Sequence, residues 1–290
     1  MRMLVIKSII VVCLSLSVLG CDVSEQSIEM NIEQLRAAKA KLLKNPQDKE
    51  ALSFILNQLN DPRGIYRSNA AAVLGEVGEL AGASIKDQAI PALSNLLDKG
   101  EDYDKTAAAA ALKDFGPYAA PALPVLRKNL IPSNRDVAWF SARAIGNIGS
   151  GAVEAVPDLL DAIKKNADTC NGFVSIFCES FIPAIGKIGP PARSAVPDLE
   201  ALLNHRNPYV RMDLVVALMR IDPGNGKALQ ALEKLLNDSD VEIRRRTLGA
   251  LAECGKNAKP AKSLIEMATK DDDSDIRSEA TDLLKLLGNN

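Results

Sequence analysis

The sequence has 290 residues, of which 47% are hydrophobic, 25% charged and 4% aromatic. Its 35 basic and 37 acidic residues give a net charge of −2, which argues against the strongly basic surface of a nucleic-acid-binding protein. The abundance of alanine and leucine, together with the scarcity of aromatic residues, favours helices over sheets. We therefore expect an all-α protein without nucleic-acid partners.

Residues 1–20 have the features of a targeting segment and are set apart from the fold. Arg2 and Lys7 precede an apolar run that is too short to cross a bilayer about 30 Å thick. The run ends in "SVLGC", which resembles the lipobox of bacterial lipoprotein signals. The resemblance implies cleavage after Gly20, lipidation of Cys21 and attachment to a membrane of the cell envelope, facing the periplasm or the exterior. The alternative is an ordinary secretory signal with a chance cysteine.

The remaining chain is expected to form one continuous helical domain over residues 28–290, joined to Cys21 by a short linker at residues 21–27. Two helical stretches, residues 28–43 and 48–59, predict an N-terminal cap over residues 28–60, and the first of them is amphipathic and charged. Such a cap gives a repeat array a polar outer face at its end. Repeats are predicted from about residue 61 to residue 290.

The repeats are recognised by a marker position that is usually glycine. The markers are Gly78, Gly116, Gly149, Gly189, Asp222, Gly255 and Gly288. Their spacings are 38, 33, 40, 33, 33 and 33 residues, so the period is 33 with two insertions. A fixed period in this range is typical of a solenoid built from repeated supersecondary units.

Each unit is predicted to contain two helices separated at the marker. Apolar residues one, four, five and eight positions before the marker form one face of a first helix. Glycine at the marker is expected to adopt the left-handed conformation that ends this helix. Prolines eight residues after the marker are expected in the first turn of a second helix: Pro124, Pro157 and Pro197. Glycines three residues before the marker are expected where neighbouring helices cross closely: Gly75, Gly146 and Gly186.

The segments "VRMDLVVALMRID", "IRRRTLGALAECG" and "SARAIGNIG" resemble HEAT-like repeats of the kind found in bilin lyases of phycobilisomes. The resemblance covers about residues 47–290 and implies a right-handed α-solenoid of HEAT-like helix pairs. An arginine eleven residues before the marker belongs to the pattern and is interpreted as a tie between adjacent units: Arg67, Arg211, Arg244 and Arg277. Polar residues that precede these arginines are expected to cap the first helices: Asp61, Asn207, Asp240 and Asp275.

The sequence contains few groups that could perform catalysis or bind a metal. Its one histidine, His205, falls in a turn between units and is interpreted as a solvated surface residue. The stretch "GSGA" lacks the lysine and hydroxyl residue that a phosphate-binding loop requires. We therefore expect no catalytic residues, no metal site and no cofactor.

Three cysteines of the predicted domain have different interpretations. Cys254 replaces a large apolar residue one position before its marker and is interpreted as a buried core residue. Cys170 and Cys178 lie in the region of the seven-residue insertion. Outside the cytoplasm they could form a disulfide. Two free thiols, or a thiol that attaches a bilin, are the alternatives.

Trp139 and Phe140 are out of pattern, because other units place mostly polar or small residues at these two solvent-facing positions. Tryptophan is enriched at binding hot spots, so both residues are candidates for contact with a partner. The alternative is an intramolecular contact with Phe173 and Phe177 of the insertion. Charged residues of the second helices are expected to line a concave surface: Arg127, Lys128, Asp161, Glu200 and Lys234. Of these, Arg127 and Lys128 are further candidates for contact with a partner.

These features predict a lipid-anchored extracytoplasmic scaffold that binds an unidentified envelope protein and has no catalytic activity. Its membrane attachment would be the lipid on Cys21. The alternatives are a bilin-lyase-like or other small-molecule-handling role on the repeat surface, or a structural spacer. A function drawn from the repeat fold alone would rest on analogy.

Overall fold

The computed structural model describes residues 24–130, 134–166 and 176–288, and the regular elements of these residues are all helices. The α-helices are α1 (Glu25–Lys44), α2 (Lys49–Gln58), α3 (Gly64–Lys99), α4 (Asp102–Asp114), α5 (Leu123–Lys128), α6 (Arg135–Ile148), α7 (Val156–Asn166), α8 (Ile176–Ile188), α9 (Val196–Ala201), α10 (Pro208–Ile221), α11 (Gly226–Leu236), α12 (Val241–Cys254), α13 (Lys262–Ala268) and α14 (Ser274–Gly288). Four 3₁₀ segments join first to second helices: Gly116–Ala122, Gly149–Ala155, Pro190–Ala195 and Gly255–Ala261.

The helices alternate between two layers, as the repeat pattern predicts. The first-helix layer contains the start of α3 and then α4, α6, α8, α10, α12 and α14, each packed against the next. The second-helix layer contains the end of α3 and then α5, α7, α9, α11 and α13. The pair α1 and α2 packs against α3 at the N-terminal end. The predicted all-α solenoid of helix pairs is confirmed, and its right-handed sense stays a prediction.

Close contacts between glycine and alanine hold successive first helices together. A Cβ atom at Gly186 would lie 2.7 Å from the Cα atom of Ala217, a distance that real Cβ atoms do not tolerate. The same relation recurs twice at 2.9 Å, in the pairs Gly75–Ala111 and Gly146–Ala184. The predicted close crossings are therefore confirmed, because the backbones approach through positions where a side chain is small or missing.

The markers Gly149, Gly189 and Gly255 end their first helices, but in another conformation than predicted. Their φ angles are +75°, +77° and +53°, and their ψ angles lie between −132° and −149°. The left-handed helical conformation expected for them is wrong, since that region has positive ψ. The observed combination is open essentially to glycine alone. It turns the chain directly into the 3₁₀ segment that leads to the second helix.

Gly78 does not end a helix, and the expectation for it is wrong. The helix α3 continues through Gly78 and changes direction at Ala81, where φ is −135° and ψ is 21°. A Cβ atom at Gly78 would lie 2.5 Å from the ring of Phe115, the residue that follows α4. Glycine is needed here because the Phe115 ring, which is 2% exposed, packs directly on the α3 backbone.

Prolines lie in the first turns of the second helices, as predicted. Pro124, Pro157 and Pro197 each occupy the second residue of α5, α7 and α9. Proline is tolerated there because the first N–H groups of a helix have no partner within the helix. The proline thus fixes where each second helix begins.

The arginine eleven residues before the marker organises the loop that precedes its own helix. Its Nη1 atom donates to two consecutive backbone carbonyls, and Arg67 does so to Asp61 and Pro62 at 2.9 Å each. The corresponding bonds recur for Arg211, Arg244 and Arg277. These carbonyls would otherwise lack partners, so the arginine stabilises the turn before the first helix.

The same arginines link neighbouring units, as interpreted from the sequence. Arg244 donates from Nε and Nη2 to the two carboxylate oxygens of Asp271, at 2.9 Å each. Arg67 donates from the same two atoms to a single oxygen of buried Asp104, Oδ2, at 2.9 and 2.7 Å. Arg211 lies 3.8 Å from Asp238. Two-point contacts of this kind are the stronger class of ion pair.

Two of the four predicted helix caps are confirmed. The side chains of Asn207 and Asp240 cap α10 and α12. Asp61 instead accepts from the backbone N–H of Arg63, one residue before α3. Asp275 lies inside α14, and Asp273 accepts from the N–H groups of Asp275 and Ile276. The capping carboxylate of that unit therefore lies two residues earlier than expected.

We predict that replacing Gly149 by alanine lowers the free energy of unfolding by about 1–3 kcal/mol, because its positive φ is strained for any other residue. No atom lies within 4 Å of a Cβ at this position, so the loss would come from the backbone alone. Asparagine, which tolerates the left-handed helical region, would not restore stability. The measurement is urea unfolding, with Gly151→Ala in the same 3₁₀ segment as control. Wild-type stability of Gly149→Asn would contradict the assignment.

Candidate functional site

Trp139 and Phe140 lie on α6, in the first turns of a first helix, and both are half-buried. Their rings are in edge-to-face contact, with centroids 4.6 Å apart and planes at 84°. Phe140 also packs against the hydrophobic core. The pair therefore forms a fixed apolar patch on the outward side of the first-helix layer. Phe173 and Phe177, the predicted intramolecular partners, lie outside the described side chains.

Trp139, Arg143 and Asn147 form a stripe along α6, because residues four apart lie on one helix face. The guanidinium carbon of Arg143 lies 4.5 Å from the centre of the Trp139 ring, in a cation–π contact. The Nε atom of Arg143 is buried and makes no hydrogen bond. Arg143 thus stacks on Trp139 while one of its donors has no acceptor.

Lys187 of α8 extends the stripe onto the next unit. Its ammonium group donates to Oδ1 of Asn147 at 2.9 Å. Desolvation lowers the pKa of Lys187 below its ordinary value, and the positive charges of Arg143 and Arg220 lower it further. Lys187 is an exposed residue, so a ligand in solution can reach it, and an anion there would offset the repulsion from these like charges. We call Trp139, Phe140, Arg143, Asn147 and Lys187 the Trp139 surface.

An open groove with a volume of about 440 Å³ adjoins this surface at the carboxyl ends of the first helices. Two lysines, two carboxylates and an amide lie along it: Glu79, Lys113, Asp114, Asn147 and Lys187. Asp114 is in an ion pair with its neighbour Lys113. The groove therefore offers polar groups of both signs and room for a chain segment.

Sequence reasoning found Trp139 and Phe140 but missed Arg143 and Lys187. Six residues before the marker, where Arg143 stands, most other units have small or apolar residues: Ala72, Ala110, Pro183, Val216, Gly249 and Asp282. A departure from the repeat pattern singled out Trp139, and the same criterion could therefore have identified Arg143. No comparable signal marks Lys187, since charges of either sign occur at its position.

Arg127 and Lys128 lie at the end of α5 in the second-helix layer, away from the layer that carries Trp139. Both already bridge neighbouring units: Arg127 lies 2.5 Å from Asp158, and Lys128 lies 2.6 Å from Asp98. Similar bridges continue along this layer in the pairs Lys164–Asp198 and Lys227–Glu200. The four predicted partner-contact residues therefore do not form one patch, and the two basic ones belong to an ion-pair ladder.

His205 is half-buried and takes part in the loop that precedes α10, so its interpretation as a solvated surface residue is wrong. Its Nδ1 atom accepts a hydrogen bond from the backbone N–H of Asn207 at 3.1 Å. In other units an aspartate carboxylate does the same, as with Asp238 and the N–H of Asp240 at 3.0 Å. Burial lowers the pKa of His205, and the charges of Arg206 and Arg211 act in the same direction.

Cys254 is buried, with 6% of its surface exposed, as its position predicted. Burial raises the pKa of its thiol to about 11, so the reactive thiolate is scarce at neutral pH. Cys21 and Cys170, and the side chain of Cys178, lie outside the described residues. The predicted lipidation and disulfide therefore stay predictions.

Within residues 24–130, 134–166 and 176–288, no three histidine, cysteine or acidic side chains come together in a way that could hold a metal ion. None of the helices in these ranges combines the length and the apolar character that a membrane crossing requires.

The family profile of HEAT repeats matches residues 180–252 and 222–285. Residues 180–285 are therefore similar to HEAT repeats. The earlier units carry the same helix pairs and the same marker pattern, so the solenoid as a whole is HEAT-like. The predicted resemblance to HEAT-like repeats is confirmed.

Solved structures of solenoid proteins share this HEAT-like fold. An engineered protein is 22% identical over 93% of this chain and 79% of its own, with a TM-score of 0.57. The CpcE–CpcF complex of phycocyanin lyase from Nostoc sp. PCC7120 is 21% identical over 81% and 94%, with a TM-score of 0.54. Kap121p bound to Pho4p is 16% identical over 91% of this chain and 34% of its own, with a TM-score of 0.65. No curated protein sequence matches the chain. At these identities the similarities show the fold alone.

We predict that the free energy of unfolding decreases as the pH is lowered, in a window set by His205, the one histidine of the sequence. Its folded-state pKa is lowered, so the unfolded chain takes up the proton first. The contribution of the neutral ring is complete above the unfolded pKa of about 6.5 and is lost as the pH falls through the folded pKa.

The measurement is urea unfolding between about pH 5 and pH 7, compared with His205→Asp. Aspartate keeps the acceptor and stays ionised in this window, so the variant would lose this pH dependence. An identical pH dependence of the two proteins would show that His205 does not control it.

Proposed function

We propose that this HEAT-repeat protein is a non-catalytic scaffold that is lipid-anchored at Cys21 in the cell envelope and binds another envelope protein. The Trp139 surface would be its main contact. The observation that carries this proposal is the Trp139–Phe140 pair on the outward side of the first-helix layer, with a stacked and incompletely hydrogen-bonded Arg143. Tryptophan and arginine are the residue types most enriched at energetically dominant contacts.

The roles of the reactive side chains support a binding function. His205 serves as a hydrogen-bond acceptor within a loop, and Cys254 is buried in the core. The ionised groups of the second-helix layer, including Arg127 and Lys128, bind their neighbours in adjacent units. These interactions make the array stiff, and a stiff array presents a preformed surface at a low entropic cost on binding.

A bilin-handling role is the second candidate, because the fold is similar to that of the CpcE–CpcF complex of phycocyanin lyase. Its test is the absorption spectrum of an open-chain tetrapyrrole mixed with the purified protein. A shifted band that disappears in Trp139→Ala would favour this candidate over the scaffold.

The scaffold is tested by cross-linking in intact cells, purification through a C-terminal tag and mass spectrometry. We expect one envelope protein at an abundance comparable to the bait, and a loss of about tenfold or more in Trp139→Ala. Tyr103→Ala, which removes an aromatic side chain that is 69% exposed on α4, is the matched control and would leave recovery unchanged. Cys21→Ser would release the protein from the membrane fraction.

Failure to enrich any protein, or equal recovery with Trp139→Ala, would contradict the proposal. Equal circular dichroism spectra of the two aromatic variants would exclude unfolding as the cause of a loss.

A further inference from the structure

We propose that the Trp139 surface binds an extended acidic segment of its partner protein. Carboxylates of the segment would pair with Arg143 and Lys187, and its backbone would pass beside the Trp139 ring. The inference rests on the proposed binding function and names the chemistry of the partner.

The two cations of this surface have neutral partners. Arg143 stacks on Trp139, and Lys187 donates to the amide of Asn147. Among the residues that the structure describes, neither has a carboxylate within the 4.0 Å of an ion pair, whereas many other arginines and lysines of the chain do. Within the described residues this leaves two positive charges without a carboxylate partner, and the Nε donor of Arg143 is buried without an acceptor.

The adjacent charges confine the positive region. Lys113 is paired with Asp114, and Arg220 lies 3.6 Å from the carboxylate of Glu253. The excess positive charge is therefore limited to Arg143 and Lys187, on the neighbouring helices α6 and α8.

The carboxylates that border the site favour a narrow chain over a broad anionic surface. Glu79 and Asp114 lie along the adjoining groove, and Glu253 lies beside Arg220. A continuous anionic membrane would approach all three carboxylates and be repelled by them. A single chain can follow the two cations and avoid these carboxylates, and the half-buried Trp139 offers it an apolar contact.

The spacing of the helices fits such a segment. Arg143 and Lys187 lie on adjacent first helices, and the axes of packed helices are about 8–10 Å apart. In a polyproline II chain, which rises about 3.1 Å per residue with three residues per turn, every third side chain points the same way. Acidic residues three positions apart would therefore face Arg143 and Lys187 together.

The test measures fluorescence anisotropy of a labelled peptide of three Glu-Pro-Pro repeats with the purified full chain. We expect saturable binding that weakens with added salt, and no binding of the peptide with glutamine in place of glutamate. Arg143→Gln and Lys187→Gln would each weaken binding about threefold and together about tenfold. Lys234→Gln, which removes an exposed lysine of the second-helix layer, is the matched control and would leave binding unchanged.

Several outcomes would overturn the inference. These are no binding of the glutamate peptide, equal weakening by Lys234→Gln, or competition by inorganic phosphate at the concentration of the peptide. Binding of phosphatidylglycerol vesicles with the same dependence on Arg143 and Lys187 would assign the surface to a membrane instead. The conservative variants Arg143→Lys and Lys187→Arg keep the charge, so retained binding in them would exclude misfolding as the cause of a loss.

The two proposals fail separately. A partner lost with Trp139→Ala in cells, together with no binding of the acidic peptide, would leave the scaffold standing and refute only the acidic chemistry. Peptide binding with no Trp139-dependent partner in cells would refute the scaffold and leave the surface as an acidic-peptide site.

Discussion

The rest of the structure depends on the close approach of successive first helices through glycine and alanine. At Gly186 the backbone of one unit lies so near Ala217 of the next that a single methyl group would not fit. This contact sets the spacing of α8 and α10, and its counterpart between Gly146 and Ala184 sets that of α6 and α8. Outward side chains of neighbouring units, such as those of Asn147 and Lys187, can bond to each other only because of this spacing.

The glycine–alanine contacts belong to the first-helix layer, whereas ion pairs bridge units in both layers, as Arg67–Asp104 does between α3 and α4. The first-helix layer packs through small residues, and its outward positions are free to vary between units. The second-helix layer is bridged by ion pairs such as Lys128–Asp98 and Lys227–Glu200.

Much of the fold could be predicted because the sequence pattern that specifies each feature recurs in several units. The period, the close-packing glycines and the linking arginines all follow from the sequence, since each recurs in several units. Features that occur once could not be predicted in the same way. The continuation of α3 through Gly78 depends on the ring of Phe115, which lies 37 residues further along the chain. The bond between Asn147 and Lys187 crosses units, and neither residue is unusual by itself.

The measurement that tests this account most directly is the stability of Gly186→Ala against Gly249→Ala. Both substitutions lie inside first helices and gain helix propensity, but nothing lies within 4 Å of a Cβ at position 249. Because a Cβ at position 186 would lie 2.7 Å from the Ala217 backbone, we expect Gly186→Ala to lower the free energy of unfolding by about 1–3 kcal/mol. Gly249→Ala should leave that free energy equal or raise it. Equal stability of the two variants in urea unfolding would contradict the claim that the glycine–alanine contacts set the spacing of the array.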